Sequence, residues 1–338
     1  DTYGGSSNLN DVPSYIDLDA AGNVYVAGFS TNSLLMSDMV LLKYNNSGAQ
    51  QWSTLVDYQG GHEVPISFGI LSNTIYLRGY AEDSTGTDGV MLVQIGSSSG
   101  LQSAQSFSPL NGVDVEHIWT ATLDSDDNLY LVGHTDSNND QDFSVIKLDS
   151  TLTLSWAQEF DGDGLNDVAQ TIAIDSEQNV LVAGSSEKAG GGTQLLTLKL
   201  DASGQEIWRR RYNSSLSTGV VHRPRIRTSD LDEVFLSFTV DGAGGESYCL
   251  LMYDAGGVAR IEKRHTVSGN TKNRVLDLKL TPADEVLYTG LNADLQAQAS
   301  SYLTVKYEIF RRPDTITVDT NQTAYKAREL ILKFIILI

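Results

Sequence analysis

The sequence predicts an all-β protein: a β-propeller of six blades, each of four antiparallel strands, with a short non-repeat C-terminal tail. Three observations carry this. An alternating apolar run ending in glycine recurs as "NVYVAG" (23–28), "TIYLRG" (74–79), "NLYLVG" (128–133), "NVLVAG" (179–184) and "EVLYTG" (285–290), and "EVFLSF" (233–238) repeats it with Phe238 in place of glycine. The closing positions lie 51, 54, 51, 54 and 52 residues apart, the mark of one supersecondary unit repeated. Short aromatic and β-branched runs alternate with Gly, Asn, Asp and Ser turns, and helical periodicity is hard to find.

Each unit reads in the same order. In the fourth, the first strand is "QTIAID" (170–175), the turn "SEQN" follows, and the second strand is "VLVAG" (180–184). A variable loop leads to a third strand, "LLTLKL" (195–200). The turn "DASG" (201–204) leads to a fourth, "QEIWRRRY" (205–212). Four-stranded units repeated around an axis describe a propeller, and a linear stack of hairpins has shorter units. The units fall near 6–57, 58–108, 109–160, 161–212, 213–265 and 266–312.

Several recurring positions have structural reasons. The turns "NNSG" (45–48), "SSSG" (97–100), "DASG" and "DAGG" (254–257) put Gly where a positive φ is needed. Trp52, Trp156 and Trp208 open fourth strands, where a large ring covers the flank of a blade. Lys43, Lys147, Lys199 and Lys306 recur on third strands, each expected to lay its stem over a neighbour and keep its amine in water.

The stretch "NDVAQTIAIDSEQNVLVAGSS" followed by "LLTLKLDASGQEIW" resembles the SBBP-type bacterial β-propeller repeat, and "DVPSYIDLDAAGNVYVAGFS" (11–30) is equally similar. The resemblance spans about residues 1–310. It is weaker in the second unit and departs in the fifth, where Phe238 replaces Gly and Ile261 replaces Trp, so a distorted blade is expected there. The resemblance implies a secreted or surface-displayed propeller of Bacteroidetes-type bacteria. It implies no catalytic activity.

The sixth unit lacks a fourth strand of the repeat type. Residues 1–5, "DTYGG", resemble the end of such a strand, so the ring is expected to close with the N-terminal segment as the sixth blade's outer strand. "DTITV" (314–318) is the alternative. Residues 313–338 read as a C-terminal extension or the start of a following domain, with a terminal strand or helix packed on the propeller as the plainer reading of 323–338. "ELILKF" within them weakly resembles the opening strand of propeptide-like domains in secreted subtilases.

Charge and composition narrow the function. The formal net charge of −20 argues against nucleic acid as a partner, since phosphates reward Lys and Arg. No run is long and apolar enough to span a membrane. The single cysteine, Cys249 in "YCLLMY", excludes an intrachain disulfide and reads as a small buried hydrophobe. Residue 1 falls inside a recognisable element, so a leader is expected to have been lost.

Few motifs carry chemistry. "GSSSG" (96–100) satisfies the spelling of a nucleophile elbow but occupies a strand turn, so Ser98 reads as a turn residue. His62, His117, His134, His222 and His265 are scattered, without zinc spacing. "DGDGLND" (161–167) offers Asp161, Asp163, Asn166 and Asp167 as hard oxygen ligands, with Gly162 and Gly164 letting the chain curl; both calcium and a plain polar turn fit it. Residues 207–275 carry eleven Lys/Arg against seven Asp/Glu. Arg209 and Arg211 should share one face of a strand and Arg210 the other, with Arg223, Arg225 and Arg227 together on an inner strand. Intramolecular pairing and a site for an anionic sugar or acidic partner both fit this patch.

The expectation is a non-catalytic extracellular module that binds or scaffolds a protein or glycan at a loop face, as a monomer or within a larger assembly. It needs no cofactor, and calcium is the one ion it has ligands for. An accessory domain of a larger secreted hydrolase is the first alternative. A propeller enzyme with a channel-mouth site is the second.

Overall fold

The computed structural model describes residues 4, 9–71, 74–82, 84–85, 88–109, 117–137, 140–212, 221–241, 246–266, 271–281, 285–294, 299–311 and 330–337. They form strands and turns only. No helix among them is long and apolar enough to cross a membrane.

The strands make six antiparallel sheets of four. The first sheet is β1 (Asp11–Leu18), β2 (Val24–Thr31), β3 (Ser37–Tyr44) and β4 (Gln50–Val56). The second is β5 (Glu63–Leu71), β6 (Thr74–Glu82), β7 (Asp88–Gly96) and β8 (Gln102–Pro109). The third is β9 (His117–Leu123), β10 (Leu129–Ser137), β11 (Asp140–Leu148) and β12 (Leu154–Phe160). The fourth is β13 (Asp167–Ile174), β14 (Val180–Glu187), β15 (Thr193–Leu200) and β16 (Glu206–Tyr212). The fifth is β17 (Val221–Thr228), β18 (Val234–Val240), β19 (Ser247–Tyr253) and β20 (Ala259–Thr266). The sixth is β21 (Thr271–Thr281), β22 (Glu285–Asp294), β23 (Ala299–Arg311) and β24 (Leu330–Leu337). Each is a meander in sequence order.

Two compact units are distinguished. The first comprises residues 1–115, 126–129 and 147–155, and the second 116–125, 130–146 and 156–338. In the first, Tyr25, Met39 and Leu41 pack against Ile75, Leu77 and Met91 of the next sheet. In the second, alternation sends successive residues to different neighbours. Val180 and Val182 of β14 join the third sheet's core, while Leu181 and Ala183 join the fifth sheet's. Both faces of such a strand are buried, which is why the middle strands read as nearly continuous apolar runs.

The recurrent glycine faces a recurrent bulge, whose backbone crowds it at Gly28 and Gly184, while at Gly79 and Gly290 the Met39 and Tyr248 side chains take the space. In β13, Ala169 faces Gly184 and Thr171 faces Ala183, so Gln170 is an extra residue. The same irregularity falls at Ser14, Ile66 and Leu276. The bulged backbone crowds the facing position. A Cβ on Gly184 would strike the Val168 carbonyl and come within 2.8 Å of Ala169 Cα; one on Gly28 would strike the Val12 carbonyl. Phe238 escapes the clash because the shift in β17 is wider, between His222 and Arg225. Its ring is buried edge-on to Tyr212, 5.3 Å between centroids. The fifth sheet is therefore complete, and it departs from the repeat at this bulge and at Ile261, where it carries no tryptophan.

Three pairs of consecutive sheets are joined by a tryptophan latch. Trp52 Nε1 donates to the Ser97 carbonyl at 3.3 Å, Trp156 Nε1 to Ala202 at 3.1 Å and Trp208 Nε1 to Ala255 at 3.2 Å. Each ring lies on the glycine that ends the accepting turn, Gly100, Gly204 or Gly257, at φ +68°, +86° and +77°. The expected flank cover is thus also a hydrogen bond. The lysines differ from expectation. Lys199 is buried and pairs with Asp175 at 2.8 Å, while Lys43 donates to Ser97 O at 2.7 Å. The Lys199 amine has left water because a carboxylate receives it, while Lys43 stays half-buried.

The sixth sheet corrects the expected closure. Its fourth strand is β24, paired antiparallel with β23 from Arg311↔Leu330 to Thr304↔Leu337. The edge assigned to residues 1–5 is therefore taken by the tail. An eight-residue segment, apolar but for Lys333, can pair along the edge, whereas "DTYGG" offers five residues, two of them glycine. Of residues 1–5 only Gly4 is described, and 314–318 lie outside the described residues.

Candidate functional site: acidic junctions between sheets

The loop 161–167 connects β12 to β13, and its glycines curl it as expected. Asp161 Oδ1 accepts from Gly164 N–H at 2.6 Å, Gly164 sits at φ +68°, and Asp167 Oδ2 accepts from Gly162 N–H. Of the four oxygen donors the spacing offered, the structure brings Asp161 and Asp167 together. Asp163 is half exposed and pairs with Arg211 at 3.1 Å. Asn166 donates its amide to Glu187 at 2.9 Å, and its oxygen accepts from Gln141 N–H at 3.1 Å. The third carboxylate is Asp142 on β11: one oxygen from each of Asp142, Asp161 and Asp167 lies within 4.8 Å of the others.

Asp167 is fully buried, and its Oδ1 has no hydrogen-bond partner. Burial raises its pKa, and the Asp142 and Asp161 charges add to the rise, while the Ser186 and Gly162 donors oppose it. The cluster offers hard oxygen atoms only, the chemistry of a calcium or magnesium ligand set.

The arginines divide as alternation required. Arg209 donates to the Asp161 carbonyl at 3.0 Å and pairs with Glu206 at 2.7 Å; Arg211 donates to the Gly162 carbonyl at 2.6 Å. Arg210 points the other way, donating to the Gly257 carbonyl at 2.6 Å with its guanidinium 5.4 Å from the Trp208 ring. Arg225 donates to Leu276 O at 2.9 Å and Arg227 pairs with Asp277 at 3.2 Å, both on β21. The Arg223 and His222 side chains lie outside the described residues. The structure thus brings Arg209 and Arg211 to the acidic loop and ties Arg210, Arg225 and Arg227 to neighbouring sheets.

A second acidic cluster escaped the sequence reading. Asp38 on β3, Asp57 after β4 and Glu63 at the start of β5 place one oxygen each within 4.8 Å of the others. Burial pushes the Glu63 carboxyl up to about 8, and the Asp57, Asp38 and Glu82 charges add to this; the Tyr58 amide pulls the other way without reaching hydrogen-bond geometry. Asp38 is also raised, by burial first. A signal was available: 38, 57 and 63 repeat the spacing of 142, 161 and 167.

Trp119 was missed as well. It lies on β9, outside the latch positions, 53% exposed. Its Nε1 donates to His134 Nδ1 at 3.2 Å. Ser98 sits in the β7–β8 turn, as expected.

No family model and no curated protein matches the chain. Solved structures do. A protein of unknown function from Dyadobacter fermentans shares 12% identity over 86% of this chain and 92% of its own, with a TM-score of 0.50. A polysaccharide lyase, an ulvan lyase, shares 10% identity over 86% of this chain and 78% of its own, with a TM-score of 0.53. The fold is of the β-propeller class. At such identities the likeness extends to fold alone.

Proposed function

We propose that the chain is a non-catalytic, SBBP-like propeller that binds a protein or glycan partner outside the cell, each of its six sheets serving as one blade. The observation supporting this is Trp119. Three of the four tryptophans are used in latches. Trp119 instead shows half its surface to solvent, with its indole held by His134. A rigid exposed indole offers a flat apolar face at low entropic cost and is the residue type that most often anchors an interface. The buried cysteine and acidic composition are compatible with secretion. Calcium at Asp142, Asp161 and Asp167 is part of this reading, supported by the unpartnered Asp167 Oδ1.

The test is a panel of neutral and anionic polysaccharides, titrated by calorimetry and incubated for turnover. Binding without turnover is expected, with Trp119→Ala weakening it at least tenfold while the protein stays folded, its melting temperature lowered only by the loss of the His134 bond. Turnover of any member would overturn the non-catalytic reading. Wild-type affinity in Trp119→Ala would remove the anchor.

A further inference from the structure

We propose that Asp38, Asp57 and Glu63 form a second site for a divalent cation of the calcium class, at the junction of the first and second sheets. Clustered acids alone would not carry this. The deciding observation is Glu63, which is fully buried, has no hydrogen-bond partner at Oε1 or Oε2, and turns its carboxylate toward those of Asp38 and Asp57. An ionised carboxylate in that position is costly unless a cation meets it. No Lys or Arg among the described residues pairs with any of the three. His62 lies nearby, but its Nδ1 accepts from Ser37 N–H at 3.2 Å, and Glu82 adds further negative charge.

The other ligands are already oriented. Asn32 Nδ2 donates to both Asp38 oxygens at 3.2 and 3.3 Å. Gly60 N–H donates to Asp57 Oδ1 at 2.9 Å. Asp57 is exposed, which gives an ion a way in.

The repeat supplies an internal control. Register places Gln194 and Val221 at the Asp38 and Glu63 positions of the fourth-to-fifth junction, and Ser247 and Asn273 at the fifth-to-sixth. The fourth-to-fifth junction has no acid at these two positions, and at the fifth-to-sixth the buried Glu246 beside Ser247 is met by Lys272 at 2.7 Å and by the Asn273 N–H, partners that Glu63 lacks. The first-to-second and third-to-fourth junctions carry three each. An all-oxygen set drawn from three chain segments suits the larger, geometrically tolerant calcium ion, with water filling the remaining positions.

The test uses the full chain after chelation, titrated with calcium chloride by calorimetry and by thermal melting. Asp142→Asn disarms the other cluster. In that background one equivalent of calcium should still bind and raise the melting temperature. Adding Glu63→Gln should weaken that binding at least tenfold while leaving the metal-free protein as stable or more so. If that pair does not fold, Asp57→Asn, at an exposed position, replaces Glu63→Gln with the same expected loss. An Asp142→Asn protein that binds no calcium overturns the proposal. So does unchanged affinity on adding Glu63→Gln or Asp57→Asn. The outcome is independent of whether Trp119 binds a partner.

Discussion

Trp208 lies on Gly257, so close that a Cβ at residue 257 would stand 2.9 Å from the indole Cδ2. Two demands therefore meet at Gly257, a φ of +77° and an absent side chain. Gly48 separates them, since it has φ +83° and nothing within 4 Å of its would-be Cβ. Gly48→Ala should cost about 1 kcal/mol from backbone strain alone. Gly257→Ala should cost more, by roughly 1–3 kcal/mol for the displaced ring. Urea unfolding of both variants checks this. Equal losses would mean that the ring contact contributes nothing.

Removing the indole tests the latch from the other side. Trp208→Phe keeps most of the apolar area and loses the bond to Ala255 O. A loss of about 1 kcal/mol is expected. Trp208→Ala should cost about 3–5 kcal/mol. Chemical denaturation of the two variants gives both values.

Glu63 predicts an unusual pH dependence in the metal-free protein. Its folded pKa is pushed up to about 8 from an ordinary 4.5. The folded state therefore holds the proton more tightly than the unfolded chain does. That contribution is fully present below about pH 4.5 and is lost as pH rises towards 8. Melting temperature after chelation should fall across this window, by the equivalent of roughly 2–4 kcal/mol. Glu63→Gln should flatten the fall. A parent curve that is flat or rising would show the carboxyl to be ionised without penalty.

Cys249 is buried, and burial pushes its thiol up to about 11. At pH 8 the native protein should be inert to a thiol reagent, because both access and thiolate are lacking. One equivalent should react in guanidinium. Rapid labelling of the native protein would mean that β18 and β19 open readily.

The sheets were legible because their signals are local. Period-two alternation, turn glycines and the fourth-strand tryptophans each lie within one unit. The bulge that makes Gly28 and Gly184 necessary was less visible, since its cause is a neighbouring strand. Asp38, Asp57 and Glu63 were hidden by distance, because a junction assembles ligands from three elements while the eye rewards runs such as "DGDGLND". There Asp163 pairs with Arg211, while Asp161 and Asp167 meet Asp142 from another strand. The closing strand was misplaced for a related reason. Leu330–Leu337 carries no repeat feature, and residues 312–329 separate it from its partner.

The pairing of β23 with β24 also sets an order of events during synthesis. β23 ends at Arg311, and its partner begins at Leu330. At about 5–20 residues per second, a ribosome needs on the order of seconds to deliver the rest. Throughout that interval the nascent chain presents β23 with one row of amides and carbonyls open. Five sheets can be complete while the sixth still invites a strand from any neighbouring chain. Leu330–Leu337 end this exposure, so a stop between 312 and 330 would release a molecule with a sticky edge.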